Sequence, residues 1–327
     1  MKLKTTLLLF IISINLIAQK RIYGLVINSE SKSPIEFVNI GIVNTTVGTA
    51  SFEDGTFEIE IPNEYLGKRL TFSAIGYKVK TIDVSSNENI DIKLEPESTV
   101  LSEVRILSTT KSKSATWGSK PLDVNTGVTV SSIHGGGAFA TYVPIQQSTM
   151  FINKIKVYIE DNELEEFRLR CRIKEVDEDN RPGDDLLSYN VIATSAVESG
   201  WVTIDLSEYN FYTSTDFYLV FEWIMDKKAT ERFKKNMANP LAWRKPNSAI
   251  VNGKLMVYKN EQGKKVKQKL TAAQIKELKT RDFRKTTIGV KKQHKKSMSY
   301  SRFGSMASWK QRHMDLVSVI EYEYMTE

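Results

Sequence analysis

Cysteine is almost absent from this chain: one residue, Cys171, in 327. A lone cysteine rules out an intramolecular disulfide and any zinc site built from cysteines. Histidine is nearly as scarce. His134, His294 and His313 are scattered, and none begins an H-x-x-E or H-E-x-x-H spacing that would hold a catalytic zinc. His134-Gly135-Gly136-Gly137 matches an oxyanion loop in letters, but no G-x-S-x-G nucleophile turn accompanies it. A glycine-rich turn entering a strand accounts for it. Long apolar runs are missing too. The best, residues 7–17, is interrupted by Ser13 and Asn15, and at about eleven residues is well short of the ~20 that span a bilayer. These absences predict a protein that is not an enzyme and carries no cofactor.

That short run nevertheless has a meaning. Lys2 and Lys4 precede it and Ala18 follows it. A basic start, an apolar stretch and a small-residue exit read as a secretory signal peptide over residues 1–19. Cys171 lies far from that exit, so a lipid-anchoring cysteine at the cleavage site is excluded. The remaining composition, 41% hydrophobic and 26% charged, is that of globular protein, and the length suits two domains.

Residues 22–27, 35–42, 49–52, 56–61, 69–75, 78–84 and 90–94 read as seven short strands separated by turn residues. In 56–61, Phe57, Ile59 and Ile61 point one way and Glu58 and Glu60 the other, the mark of a half-buried strand. Asp54-Gly55 between two such runs predicts a tight hairpin. Seven strands in so few residues predict a small sandwich.

Particular residues sharpen this. Gly24-Leu25-Val26, Pro34, Thr46-Val47-Gly48-Thr49, Asp54-Gly55-Thr56-Phe57, Ile75-Gly76-Tyr77 and the closing Leu101-Ser102-Glu103-Val104 occur in one order. Together they resemble the carboxypeptidase-regulatory-like domain, a transthyretin-like β sandwich that often precedes a larger module in Gram-negative envelope proteins, including TonB-dependent receptors. The resemblance covers residues 20–96 and a linker at 97–112. It implies an exported protein of the periplasm, outer-membrane periphery or cell surface. It implies no peptidase activity, because this module is an appendage in that enzyme class. Some 220 residues remain, too few for a plug and receptor barrel.

Residues 113–327 read as a second set of strands. Residues 152–159 and 164–173 look paired, a hairpin spans 177–185, and strands follow at 201–206, 216–224 and 314–324. Asn180-Arg181-Pro182-Gly183, Gly200-Trp201-Val202-Thr203 and Phe217-Tyr218-Leu219-Val220-Phe221 are similar to jelly-roll domains of exported bacterial proteins. The fold class expected is therefore all-β: a small transthyretin-like sandwich, then a larger jelly-roll-like one. Residues 227–296 stand apart, with 22 Lys and Arg against four Asp and Glu, leaving 24 and 35 of the chain's 46 and 39 for the rest. They read as a basic insertion with few strands beyond 249–258 and one short helix near 270–279, capped by Thr271.

Three groups of residues are candidate binding sites. Asp177, Asp179, Asp184 and Asp185 offer oxygens for calcium, although Pro182-Gly183 explains the turn without an ion. Trp201, Thr203 and Asp205 share one strand face, opposite Val202, Ile204 and Leu206, and would suit a sugar ring; covering a sandwich edge is the competing reading. Trp223 has the parity of core residues, as does Cys171 with Leu169 and Ile173. Lys264, Lys265, Lys267 and Lys269, with Lys291 and Lys292, would attract an anionic partner or merely solvate a loop. The expected function is a non-catalytic interaction or adaptor module of the envelope; the alternative is a carbohydrate-binding module for polysaccharide capture. The expected partners are an envelope protein or an anionic glycan such as lipopolysaccharide. No recognisable nucleic-acid motif is present, and no nucleic-acid partner is expected.

Overall fold

A computed structural model describes residues 20–84, 89–97, 111–119, 126–129, 136–224, 227–228, 230–231, 244–245, 248–252, 254–279, 286–293 and 297–326. The proposed signal peptide, His134, His294 and Trp243 lie outside the described residues, as does most of the linker.

The first domain is seven strands: β1 (Lys20–Asn28), β2 (Asn39–Gly41), β3 (Gly48–Ala50), β4 (Thr56–Ile61), β5 (Arg69–Ser73), β6 (Lys80–Asp83) and β7 (Asn89–Leu94). They form two sheets, ordered β4-β1-β7 and β3-β2-β5-β6, with β1 and β7 parallel. Phe57, Ile59 and Ile61 of β4 are buried against Leu70 and Phe72 of β5, as the alternation requires. The rings of Phe57 and Phe72 meet edge to face at 5.6 Å and join the sheets.

The Asp54-Gly55 turn forms but does not close a hairpin. Phe52 N donates to Thr56 O at 2.8 Å, yet β3 pairs with β2 and β4 with β1, in different sheets. Gly55 has φ +74°, and a Cβ there would stand 2.7 Å from the Val26 carbonyl oxygen. The turn thus presses on β1 and sends the chain from one sheet to the other. The expected strand at 35–42 also shrinks, to Asn39–Gly41, because Phe37 takes a left-handed φ of +52°.

The second domain begins with β8 (Lys111–Gly118), β9 (Thr126–Thr129), β10 (Ala138–Val143), β11 (Met150–Asn162), β12 (Phe167–Val176), β13 (Pro182–Asp185), β14 (Val191–Ser195), β15 (Gly200–Asp205), β16 (Tyr212–Thr213) and β17 (Phe217–Ile224). Within the basic segment come β18 (Ala249–Val251), β19 (Leu255–Lys259), β20 (Lys265–Lys269), helix α1 (Ala272–Lys279) and β21 (Thr286–Lys292). The chain ends with β22 (Ser299–Arg302), β23 (Lys310–Arg312), β24 (Met314–Leu316) and β25 (Ser318–Thr326). One sheet runs β13-β12-β17-β10-β22-β23, with β14 also on β12. The other runs β24-β21-β11-β25-β8, with β9, β15 and β16 attached. One of the larger sheets curls into a half-barrel. Between them lies a single apolar core that includes Ile155, Val157, Leu169, Ile173, Phe217, Leu219 and Phe221.

Residues 152–159 and 164–173, expected to pair, lie in opposite sheets and face one another across this core. Alternation fixes which face is buried, not which strand is the neighbour. The basic segment also differs from its reading as an insertion with few strands. Its last part, β21, lies between β11 and β24, and Ile288 and Val290 are fully buried. Only β18, β19 and β20 form a separate meander. Helix α1 starts where expected: Gln274 N donates to Thr271 Oγ1 at 3.3 Å and Thr271 N to Gln274 Oε1 at 2.8 Å, a reciprocal capping box.

Candidate functional site: a buried ionic joint

Strand β12 places Phe167, Leu169, Cys171 and Ile173 in the core, so Arg168, Arg170, Arg172 and Lys174 must project from the opposite face. A basic stripe of this kind would normally meet water. Here Arg170, Arg172 and Lys174 are only 4%, 6% and 7% exposed, and the N-terminal domain meets Arg170 and Arg172 through Phe37 and Asn39.

One carboxylate organises the stripe. Glu222, on β17, is opposite Arg170 in the ladder and 1% exposed. Its Oε1 accepts from Arg170 Nη1, and its Oε2 from Arg172 Nη1 and Arg302 Nη2, each at 3.0 Å. Arg302 belongs to β22, two strands from β17. The residue between is Ala138, in register with both Glu222 and Arg302, and its small side chain leaves the path open. Asp185 on β13 is the second anion. It receives Arg172 through Nε and Nη2, the fork geometry that guanidinium favours, and lies 3.3 Å from Lys174 Nζ.

The N-terminal domain supplies the remaining partners. The Phe37 carbonyl accepts from Arg170 Nη2, and the left-handed backbone at Phe37, costly for an aromatic residue, is what aims it. Asn39 inserts its amide between the two charges: in the orientation its neighbours dictate, Nδ2 donates to Glu222 Oε1 at 2.9 Å, and Oδ1 accepts from Arg172 Nη1 at 3.0 Å. At the edges Arg168 pairs with Glu53, and Lys227 with Asp54 at 2.5 Å. Two more hydrogen bonds tie the domains together: Ser305 Oγ donates to Ile40 O at 2.8 Å and Asn44 N to Met306 O at 2.9 Å. Gly48 permits this approach, since a Cβ there would stand 2.7 Å from Ser305 Oγ.

Burial and charge compete at every member. Burial would raise the Glu222 carboxyl, but Arg170, Arg172 and Arg302 together hold it below its ordinary value. The same contest takes Asp185 down to about 2, through Arg172 and Lys174. Burial and the Arg172 charge bring Lys174 down to about 8. Burial pushes Arg170 and Arg302 down as well, while Asp185 and Glu222 outweigh it at Arg172. Among the described residues four cations face two carboxylates, and the Nε atoms of Arg170 and Arg302 are buried without a hydrogen-bond partner. Beside Arg170 and Arg172 the joint opens into a cavity of 210 Å³. Such an arrangement fixes two domains together and leaves positive charge beside a cleft.

The residues singled out from sequence lie elsewhere. Trp201 is half-buried on the outer face of its sheet, its ring edge-on to Tyr158 at 5.3 Å, with Thr203 and Asp205 exposed along the same strand. Hydrogen bonds from Ser207 hold the Asp205 carboxyl below its usual range. Trp223 is core, stacked on Phe167 at 6.3 Å, and Cys171 is fully buried, its thiol pushed up to about 12 by desolvation. Lys264, Lys265, Lys267 and Lys269 are exposed on the meander, whereas Lys291 and Lys292 end β21 in a different sheet. The acidic turn is divided: Asp185 joins the ionic joint, Asp177 Oδ1 accepts from Asp179 N and Arg181 N, and Asp179 pairs with Arg181. Asp184 stays exposed. Among the described residues no group of three or more ligating side chains is arranged to hold a metal ion. Gly136 and Gly137 extend the β10–β17 ladder through Trp223, as a glycine turn entering a strand would. Sequence reasoning missed the joint itself. Its signal was a single Glu in the otherwise apolar run 217–224, a buried charge that demands partners.

Comparison with known proteins bears on the first domain. A 109-residue stretch is 29% identical to TonB-dependent receptor P3 of Formosa agariphila, covering 32% of this chain and 11% of that receptor. The chain thus spans about a tenth of that relative's length. Among solved structures, BcpA, the major pilin subunit of Bacillus cereus, is similar over 77% of this chain and 67% of its own, with 8% identity and a TM-score of 0.18. The family model of the CarboxypepD_reg-like domain matches residues 22–106. Residues 22–106 are therefore a CarboxypepD_reg-like domain, and its residues Phe37 and Asn39 complete the ionic joint.

Proposed function

We propose that this is an exported, non-catalytic interaction protein of the bacterial envelope, in which the joint holds two sandwiches as one body and the basic meander engages an anionic partner. The domain family and the similarity to a TonB-dependent receptor support the envelope assignment. The observation that carries the adaptor reading is the exposure of Lys265, Lys267 and Lys269 on β20, an edge strand of the meander. The partner is an envelope protein or an acidic glycan, lipopolysaccharide included, met at the periplasm, outer-membrane periphery or cell surface.

Removing the whole of residues 227–296 would not test this, because β21 would be lost from the core. Charge reversal of Lys265, Lys267 and Lys269 to Glu, followed by capture from solubilised envelope, does so. Loss of partners that also dissociate as salt rises is the expected outcome. An unchanged set of partners would make the meander a passive surface.

Polysaccharide capture is the second reading, favoured by Trp201 beside Tyr158 on an outer sheet face that also bears Thr203 and Asp205. It predicts that Trp201→Ala abolishes binding to a glycan that the native protein retains on affinity electrophoresis. Equal retention of the two proteins on every glycan sinks it.

A further inference from the structure

The cavity in the joint is built from both domains. Ile35, Ala74 and Ile75 form an apolar wall, and Arg170, Arg172 and Tyr77 line its polar side. Its volume of 210 Å³ equals the share of about seven waters, enough for one small organic molecule. Arg170 and Arg172 are 4% and 6% exposed, so both charges stand beside this cavity largely out of bulk water. Two further facts fix the sign of what belongs there. Among the described residues four cations stand against two carboxylates in the joint, and a buried excess of positive charge is costly without a counter-charge. Glu36, the one acidic residue lining the cavity, is exposed, so it does not supply that counter-charge from within.

We infer that the interdomain cleft binds a small organic monocarboxylate, its carboxylate at Arg170 and Arg172 and its apolar body against Ile35, Ala74 and Ile75. The in-plane N–H groups of a guanidinium suit the planar carboxylate, and the apolar wall favours a hydrocarbon body over a bare inorganic ion. Because the cleft is lined by both domains, an occupant touches both and stabilises their union.

The test uses the full chain and matched probes: isovalerate, its neutral isostere isovaleramide, and inorganic phosphate. Titration calorimetry and thermal midpoints are read for each. Saturable isovalerate binding, at least tenfold tighter than either other probe and accompanied by a rise in midpoint, is expected. Replacing Arg170 would disturb the joint itself, so the site variant is Asn190→Trp, an exposed residue lining the cavity, chosen to fill it. This variant should keep the ligand-free midpoint within about 2 °C of the native protein and lose isovalerate binding. Equal binding of acid and amide, tighter binding of phosphate, no saturable binding, or undiminished binding in Asn190→Trp would each overturn the inference.

Discussion

Two strands of this protein carry cations at every second position and meet opposite fates. In β12 they are Arg168, Arg170, Arg172 and Lys174, three of them buried. In β20 they are Lys265, Lys267 and Lys269, all exposed. The period is the same, so alternation alone does not decide burial. What differs is the opposing surface and the kind of cation. Glu222, Asp185, Asn39 and the Phe37 carbonyl wait opposite β12, and arginine's planar fork can satisfy several of them at once. β20 lies at the edge of a small sheet, where strongly hydrated lysines keep an open strand from pairing with another chain. One stripe has become interior; the other has remained surface.

The largest break in that comparison comes from Glu222→Gln. The change keeps the shape but removes the charge that Arg170, Arg172 and Arg302 share. Breaking a buried pair costs about 3–5 kcal/mol, because the surviving charges are left uncompensated. Urea unfolding should show a loss of that size. A loss under 1 kcal/mol would mean that water reaches the joint and that the stripe is interior in name only.

Lys174→Met has a smaller effect of opposite sign. Its pKa falls from 10.5 to about 8, so burial disfavours the charged form by about 3 kcal/mol at neutral pH. Below pH 8 the lysine is protonated folded and unfolded, and the whole penalty applies. Between 8 and 10.5 the folded group is neutral while the unfolded chain still binds the proton, so the penalty fades as pH rises. The methionine variant should therefore be the more stable at pH 7 by up to that amount, and the two proteins should converge above pH 10. Cys171, raised to about 12, lowers stability in the same alkaline range, but it does so in both proteins and cancels from the difference. A difference that is flat across pH 7 to 10.5 would show that Lys174 is not held in a low-dielectric site.

Much of the fold could be read from the chain, and the failures have physical causes. The N-terminal strands were legible because apolar residues alternate between clear turns, as at Phe57, Ile59 and Ile61. Pairing was not. β11 and β12 both alternate, and only the three-dimensional arrangement shows that they face each other across a core instead of sharing a ladder. β21 escaped notice because its core pair, Ile288 and Val290, lies beside lysines in a segment dominated by charge. The core parity of Cys171 with Leu169 and Ile173 makes the basic face of β12 visible as a pattern, and a basic face ordinarily meets water. Nothing local to β12 says that a second domain will cover it. That information sits far away, in Glu222 and Asn39, polar residues embedded in apolar runs.

The smallest change in folding, and the sharpest contrast, belongs to Lys265→Gln, Lys267→Gln and Lys269→Gln combined. Exposed lysines contribute little to stability, since water already solvates them and salt screens their attractions. The unfolding free energy should move by no more than about 0.5 kcal/mol. Association should change far more. With its charges gone, β20 presents an open edge on which Val266 is half-buried, and edge strands without guarding charges pair with one another. Sedimentation at rising concentration should therefore reveal more self-association than the native chain shows, along with lost capture of anionic partners. If instead stability falls by more than 1 kcal/mol and self-association is unchanged, the β20 lysines are holding structure as the β12 arginines do. The distinction between the two stripes would then be one of degree.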